Sequence, residues 1–241
     1  MLIFWRLILA HFLTDFTFQT NKIAQWKRKN IWGVLFHSGI FFVISIVLCL
    51  FSKNFSSIST EYLTEIWWKF PGWLSIFSIF IIHFGEDYYR IWTIKKGGSP
   101  DNLFFFLWDQ FIHIVLIFLF SPEDSGKIFE EKIVIIAIGI VLVTHFSSIL
   151  IYYLEEIIYG HEHILNRLKG KYYRMAERIT IFISLLLPGL WWLMLIPVIL
   201  LRLALNKIYP KNGYEFTKIN ILIGDLFAIF VGFIIRKIII K

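Results

Sequence analysis

The sequence predicts an all-α fold, a polytopic bundle of about seven transmembrane helices joined by short loops. Three observations predict it. Of 241 residues, 58% are hydrophobic and 17% charged, and the mean hydropathy is +0.70; soluble domains run at about 45–50% apolar with about a quarter charged. The apolar residues fall into blocks close to the ~20 residues that a crossing helix needs. Turn-forming or charged stretches separate the blocks. This composition excludes a disordered chain, a basic nucleic-acid-binding module and an ordinary soluble enzyme.

The expected spans are 2–18, 32–51, 72–92, 103–120, 132–153, 179–201 and 219–240, forming one integral membrane domain over 1–241. The first block resembles a signal peptide, but it has no small-residue cleavage site and is broken by His11 and Asp15, so it reads as a retained span. A basic stretch, Lys22 to Asn30, ends it. Ser52 to Pro71 is Ser-rich and closes at a proline. Lys95 to Asp101 (KKGGSPD) and Ser121 to Gly126 (SPEDSG) are turn signals. Leu154 to Arg178 is the longest polar stretch, with room for an amphipathic surface helix, and its His161, Glu162 and His163 read as a solvated loop. Pro188 and Pro197 predict a kink or break in the sixth block. Leu203 to Lys218, with Pro210, Asn212 and Gly213, is the last loop.

Charge sets the expected orientation. With the N-terminus outside, 15 of the 24 Lys and Arg residues fall on the inner face, which favours N-out, C-in. The net charge of +7 is scattered at helix ends, which suits membrane lipids as partners and no nucleic acid. The single Cys49 leaves no disulfide partner in the chain.

Chemistry must come from ionisable groups within the spans, where each costs a few kcal/mol unless partnered. His11/Asp15 and His83/Asp87 are His-x-x-x-Asp pairs, and Asp109/His113 is the reverse. A separation of four puts both side chains on one helical face. Glu86 lies beside the second pair, Gln110 within the third, and Gln19 follows the first; His37 and His145 are single. Adjacent spans run in opposite directions, yet at ~1.5 Å per residue these groups fall roughly 5–15 Å from one face. Accidental polar residues have no reason to share a level.

Such a donor set suits a divalent ion such as zinc, manganese or iron, with His11, Asp15, His37, His83, Asp87, Asp109 and His113 as candidate ligands. The ion would offset the buried carboxylates and lower the pKa of a bound water toward ~7. Asp109 or Glu177 is the expected general base, and Gln19 and Gln110 the orienting groups. Arg178, Lys27 and Arg28 are candidates for a phosphate or headgroup. Against this stand simpler readings, in which the His/Asp pairs join helices and single histidines pack.

Several motifs resemble a bacterial multi-pass membrane family, domain of unknown function 3307. They are AHFLTDFTFQT (Ala10 to Thr20), the His37 span, HFGEDYYRI (His83 to Ile91), LWDQFIHI (Leu107 to Ile114), GKYYRMAER (Gly170 to Arg178) and INILIGDLFA (Ile219 to Ala228). The resemblance implies an architecture and a motif set without an activity. A looser analogy links the pattern to predicted membrane-bound metal-dependent hydrolases. The expected function is therefore an intramembrane metal-dependent hydrolase acting on a lipid or amphiphile. A proton- or cation-coupled transporter using the same cluster and a non-enzymatic scaffold or sensor are the alternatives.

Overall fold

The structure is a computed structural model and describes residues 2–122, 131–160, 171–208 and 219–239. It is all-α apart from one two-residue hairpin. The chain divides into two units, Met1–Ile138 and Gly139–Lys241.

In the first unit, α1 (Leu2–Phe12) continues into a π-helical turn (Leu13–Phe18). A short surface helix, α2 (Asn21–Lys29), follows, then α3 (Ile31–Cys49). Thr20 caps α2 by accepting from the Ile23 amide, and Asn30 caps α3 by accepting from the Trp32 amide at 3.0 Å. A connection containing α4 (Glu61–Thr64) and the hairpin β1 (Ile66–Trp67) and β2 (Phe70–Pro71) leads to α5 (Gly72–Lys96). After KKGGSPD, Asn102 caps α6 (Leu103–Phe120) by accepting from the Phe105 amide. In space α1 packs on α3, α3 on α5, α5 on α6, and α6 back on α1, a closed four-helix ring.

One buried cation ties the far end of this ring. Arg6, near the start of α1, donates to the Leu48 carbonyl at 2.7 Å and the Ser52 carbonyl at 2.9 Å, and pairs with Glu131 through Nε at 2.7 Å. The start of α1 therefore meets the end of α3, and the two run antiparallel. Trp68 Nε1 similarly donates to the Ser121 carbonyl past the end of α6. Trp67 is fully buried; a Cβ at Gly72 would stand 2.7 Å from its ring, so glycine is what lets α5 begin there.

The outward faces are apolar. Phe36, Val43 and Val47 on α3, Phe77 and Ile81 on α5, and Phe104, Phe111 and Phe118 on α6 are exposed, while His11, His37, His83, His113, Asp15 and Asp87 are buried. Polar inside and apolar outside is the arrangement hydrocarbon demands. Among the described residues three helices are long and apolar enough to cross a membrane: Ile31–Cys49, Leu103–Phe120 and the continuous Lys132–Tyr159. The chain is thus membrane-associated, and the expected count of seven spans is not reached by length and composition alone. The first segment is a short helix plus a π turn, and α5 carries Glu86, Asp87 and Arg90.

The second unit holds the rest of the Lys132–Tyr159 helix, which comprises α7 (Lys132–Val141), a π-helical turn (Leu142–Phe146) and α8 (Ser147–Tyr159). It continues with α9 (Lys171–Leu186), α10 (Leu195–Ile208), a π turn (Asn220–Asp225) and α11 (Leu226–Ile239). The expected sixth span is broken, as Pro188 predicted. Helix α9 ends at Leu186, and Gly189 takes φ +72°, a conformation that suits glycine. Pro197 lies within α10. Residues His161, Glu162 and His163, most of SPEDSG, and Pro210, Asn212 and Gly213 lie outside the described residues.

Candidate metal centre

Each helix of the ring contributes one histidine: His11 from α1, His37 from α3, His83 from α5 and His113 from α6, all buried. The ring centroids lie 4.2 Å apart for His83/His113, 5.1 Å for His11/His113, 5.7 Å for His37/His83 and 5.8 Å for His11/His83. Asp15 enters from the π turn, Glu86 and Asp87 from α5, and Asp109 and Gln110 from α6. The π turn matters because its wider winding re-aims the side chains after His11, a device common at functional sites.

Gln110 organises the cluster. Its amide nitrogen donates to Asp15 Oδ2 at 3.3 Å and to Asp109 Oδ2 at 3.2 Å, which fixes Oε1 as the atom facing His11 Nε2 at 3.1 Å. His11 Nε2 must then be the donor, so its Nδ1 carries the lone pair. His113 Nδ1 lies 2.9 Å from the Asp109 carbonyl oxygen, which can only accept. Nδ1 is the protonated nitrogen there, and Nε2 is the bare one.

The lone pairs of His11 and His113, and one nitrogen each of His37 and His83, face carboxylates instead of hydrogen-bond donors. His113 Nε2 is 3.2 Å from Glu86 Oε2, and His11 Nδ1 is 3.6 Å from Asp15 Oδ1. His37 Nε2 is 3.3 Å from Asp15 Oδ1 and 3.5 Å from Asp87 Oδ2, and His83 Nε2 is also 3.5 Å from Asp87 Oδ2. None of these contacts has hydrogen-bond alignment: His11 Nδ1, Asp15 Oδ1, both His37 nitrogens, His83 Nε2, Glu86 Oε2, Asp87 Oδ2, Asp109 Oδ1 and His113 Nε2 are buried without a hydrogen-bond partner. A buried unsatisfied acceptor costs about 1–3 kcal/mol.

Their spacing fits one remedy. Donors held at the ~2.0–2.2 Å typical of zinc stand about 3–3.5 Å from each other in tetrahedral or octahedral arrangements. Four overlapping triads have ligand atoms close enough to share an ion: His11/Asp15/His113, Asp15/His37/His83, His83/Asp87/His113 and Glu86/Asp109/His113. Residues at the core of the site are sealed, whereas the side chains of Glu86 and Asp109 are 15% and 16% exposed, so these two form its accessible rim.

All seven sequence-predicted ligands thus meet in the first unit, with Gln110 among them. Two residues join that the expected ligand set omitted. Glu86 stands at i+3 from His83, a spacing that does mark a shared face. Lys27 was expected to face a headgroup, but its Nζ sits 2.6 Å from Asp87 Oδ1. Burial lowers the lysine's pKa, while Asp87 and then Asp15 outweigh that and hold it above its ordinary 10.5. No local signal places it there, because α2 is a separate surface helix. Gln19 is half-buried and accepts from Lys27 at 3.4 Å, and Arg28 pairs with Asp101 at 2.6 Å.

Glu177, Arg178 and His145 belong to the second unit. Glu177 is held by Arg202, through Nε at 2.7 Å, and Arg202 also binds Asp225. Arg178 donates to Ser148 Oγ at 2.6 Å and to the Thr144 carbonyl at 3.3 Å, and His145 Nδ1 contacts Thr144 Oγ1 at 3.0 Å. Glu177, expected as a base, is therefore committed to an arginine.

Residues 3–136 match the model of a family described as "Protein of unknown function (DUF3307)", and the whole cluster lies within that stretch. No curated protein and no solved structure matches the chain.

Proposed function

The chain belongs to the DUF3307 family of proteins of unknown function, and from that premise we propose that it is an intramembrane metal-dependent hydrolase acting on a lipid or amphiphile at one leaflet. The observation that carries this reading is the set of buried imidazole nitrogens and carboxylate oxygens, 3.2–3.6 Å apart, that make no aligned hydrogen bond to one another. In this reading His11, Asp15 and His113, one of the triads whose ligand atoms come together, hold a divalent cation, with His37, His83 and Asp87 completing the inner wall. Bound there, the ion would supply an activated water at neutral pH.

The chain's own groups do the remaining work. Gln110 holds His11 and two carboxylates in the required protonation pattern. Asp109 is the general base: its Oδ1 is buried without a hydrogen-bond partner, while the side chain as a whole is 16% exposed beside Glu86. Lys27 neutralises Asp87, so the site's negative charge is reduced by one before any ion binds. The apolar outer helix faces favour a substrate delivered from the bilayer. A bacterial inner membrane with N-out, C-in orientation is part of the same proposal, on the distribution of basic residues.

The test is elemental analysis of the purified full-length protein. Near-stoichiometric zinc, manganese or iron is expected, falling sharply in His113→Ala and Asp15→Ala. A folded wild-type protein that carries none, and takes up none on dialysis against each ion, would overturn the proposal.

A further inference from the structure

A basic cleft of about 270 Å³ lies between α2, the start of α3 and the end of α5. Its lining includes Lys27, Lys29, Lys95 and Lys96, with Tyr88 and Trp92 beside them. These residues come from two segments some sixty positions apart, so the sequence separates what the fold joins. Lys27 is paired with Asp87, and Arg28, at the edge, with Asp101. Among the described carboxylates none pairs with Lys29, Lys95 or Lys96. The cleft thus holds three uncompensated ammonium groups beside an aromatic wall.

We propose that this cleft binds the phosphate group of an anionic amphiphile, with Lys29, Lys95 and Lys96 on the phosphate and Trp92 and Tyr88 along the apolar portion. The chemistry of the lining recommends it. Clustered ammonium groups favour a compact anion. Exposed Trp and Tyr carry an apolar body with a polar edge, which suits the boundary between headgroup and chain. Position adds a second argument. Lys27 forms the inner wall of the cleft and contacts Asp87, which borders His37 and His83. A phosphate group bound there is one side chain from the candidate metal centre. As a subsite of the hydrolase this rests on the function proposed above; as an anion site it does not.

The experiment measures binding to the full-length protein in zwitterionic detergent by calorimetry, with three probes: dihexanoyl phosphatidic acid, inorganic phosphate and dihexanoyl phosphatidylcholine. The phosphatidic acid is expected to bind, and the phosphatidylcholine at least about tenfold more weakly. The double variant Lys95→Glu/Lys96→Glu reverses two exposed charges and should lose about tenfold or more in affinity, at ~1 kcal/mol per basic residue, with wild-type metal content and thermal stability. Equal binding of inorganic phosphate keeps the phosphate site and assigns it to the free anion. No binding of either phosphate, or unchanged binding by the double variant, overturns the proposal. A metal-free protein that still binds phosphatidic acid through Lys95 and Lys96 would remove the hydrolase and leave the cleft.

Discussion

His113 turns a bare Nε2 lone pair toward Oε2 of Glu86, 3.2 Å away, because its other nitrogen donates to the Asp109 carbonyl. Two acceptors buried at that distance repel unless a proton or a cation comes between them. The contact lacks the alignment of a protonated imidazole donating to a carboxylate. The same relation recurs between His11 Nδ1 and Asp15 Oδ1. A cation held as proposed above would relieve such contacts, and three predictions follow from how the surrounding groups hold them.

Gln110 selects the His11 lone pair without needing to touch an ion. Replacing it with alanine removes the amide that orders His11, Asp15 and Asp109. Metal affinity should fall by about 10–100-fold, the usual effect of losing an outer-shell partner, while the helices stay assembled. Competition with a chromophoric chelator reads the change. Wild-type affinity in Gln110→Ala would mean the amide has no role in ordering the ligands.

Lys27 balances Asp87 at 2.6 Å, with the lysine side chain 14% exposed. Removing one partner of a buried pair costs about 3–5 kcal/mol, and the partial exposure points to the lower end for Lys27→Met. The pH dependence has a definite sign. The lysine's pKa is raised above 10.5 in the fold, so its contribution is complete below the unfolded value of ~10.4 and is lost as pH rises through the higher folded value. The stability gap between wild type and Lys27→Met should be constant from neutral pH to about 10 and shrink above that. Thermal unfolding in detergent across pH 7–12 would show it. A gap that widens with alkalinity would contradict the pairing.

Gly33 is where α2 lies on α3. A Cβ there would stand 2.5 Å from the Lys27 amide nitrogen and from the Trp26 carbonyl carbon, both backbone atoms that have little room to move. Gly33→Ala should therefore push α2 off its seat and cost about 1–3 kcal/mol by overpacking. Because α2 carries Lys27, the same change should loosen the Lys27–Asp87 pair. Faster proteolysis within Asn21–Lys29 and a lowered thermal midpoint are the expected readouts. Unchanged protease sensitivity would show that α2 docks by other means.

The sequence by itself determined the all-α class, the apolar helices and the residues that share a helical face. Hydropathy and a spacing of four are properties of one helix and need no neighbour to be read. His11 with Asp15, His83 with Asp87 and Asp109 with His113 were legible for that reason, and so was the break near Pro188. Tertiary structure alone decided the rest. It closed α1, α3, α5 and α6 into a ring, brought Lys27 from a surface helix onto Asp87, and turned Gln110 between two carboxylates. It also paired Glu177 with Arg202 in the second unit. The physical reason is that the His11 lone pair acquires its direction from the Gln110 oxygen that accepts from the other ring nitrogen, and Asp87 its balance from the Lys27 ammonium. Those partners come from different helices, whose approach is set by packing at positions such as Gly33 and Gly72 and not by any local pattern.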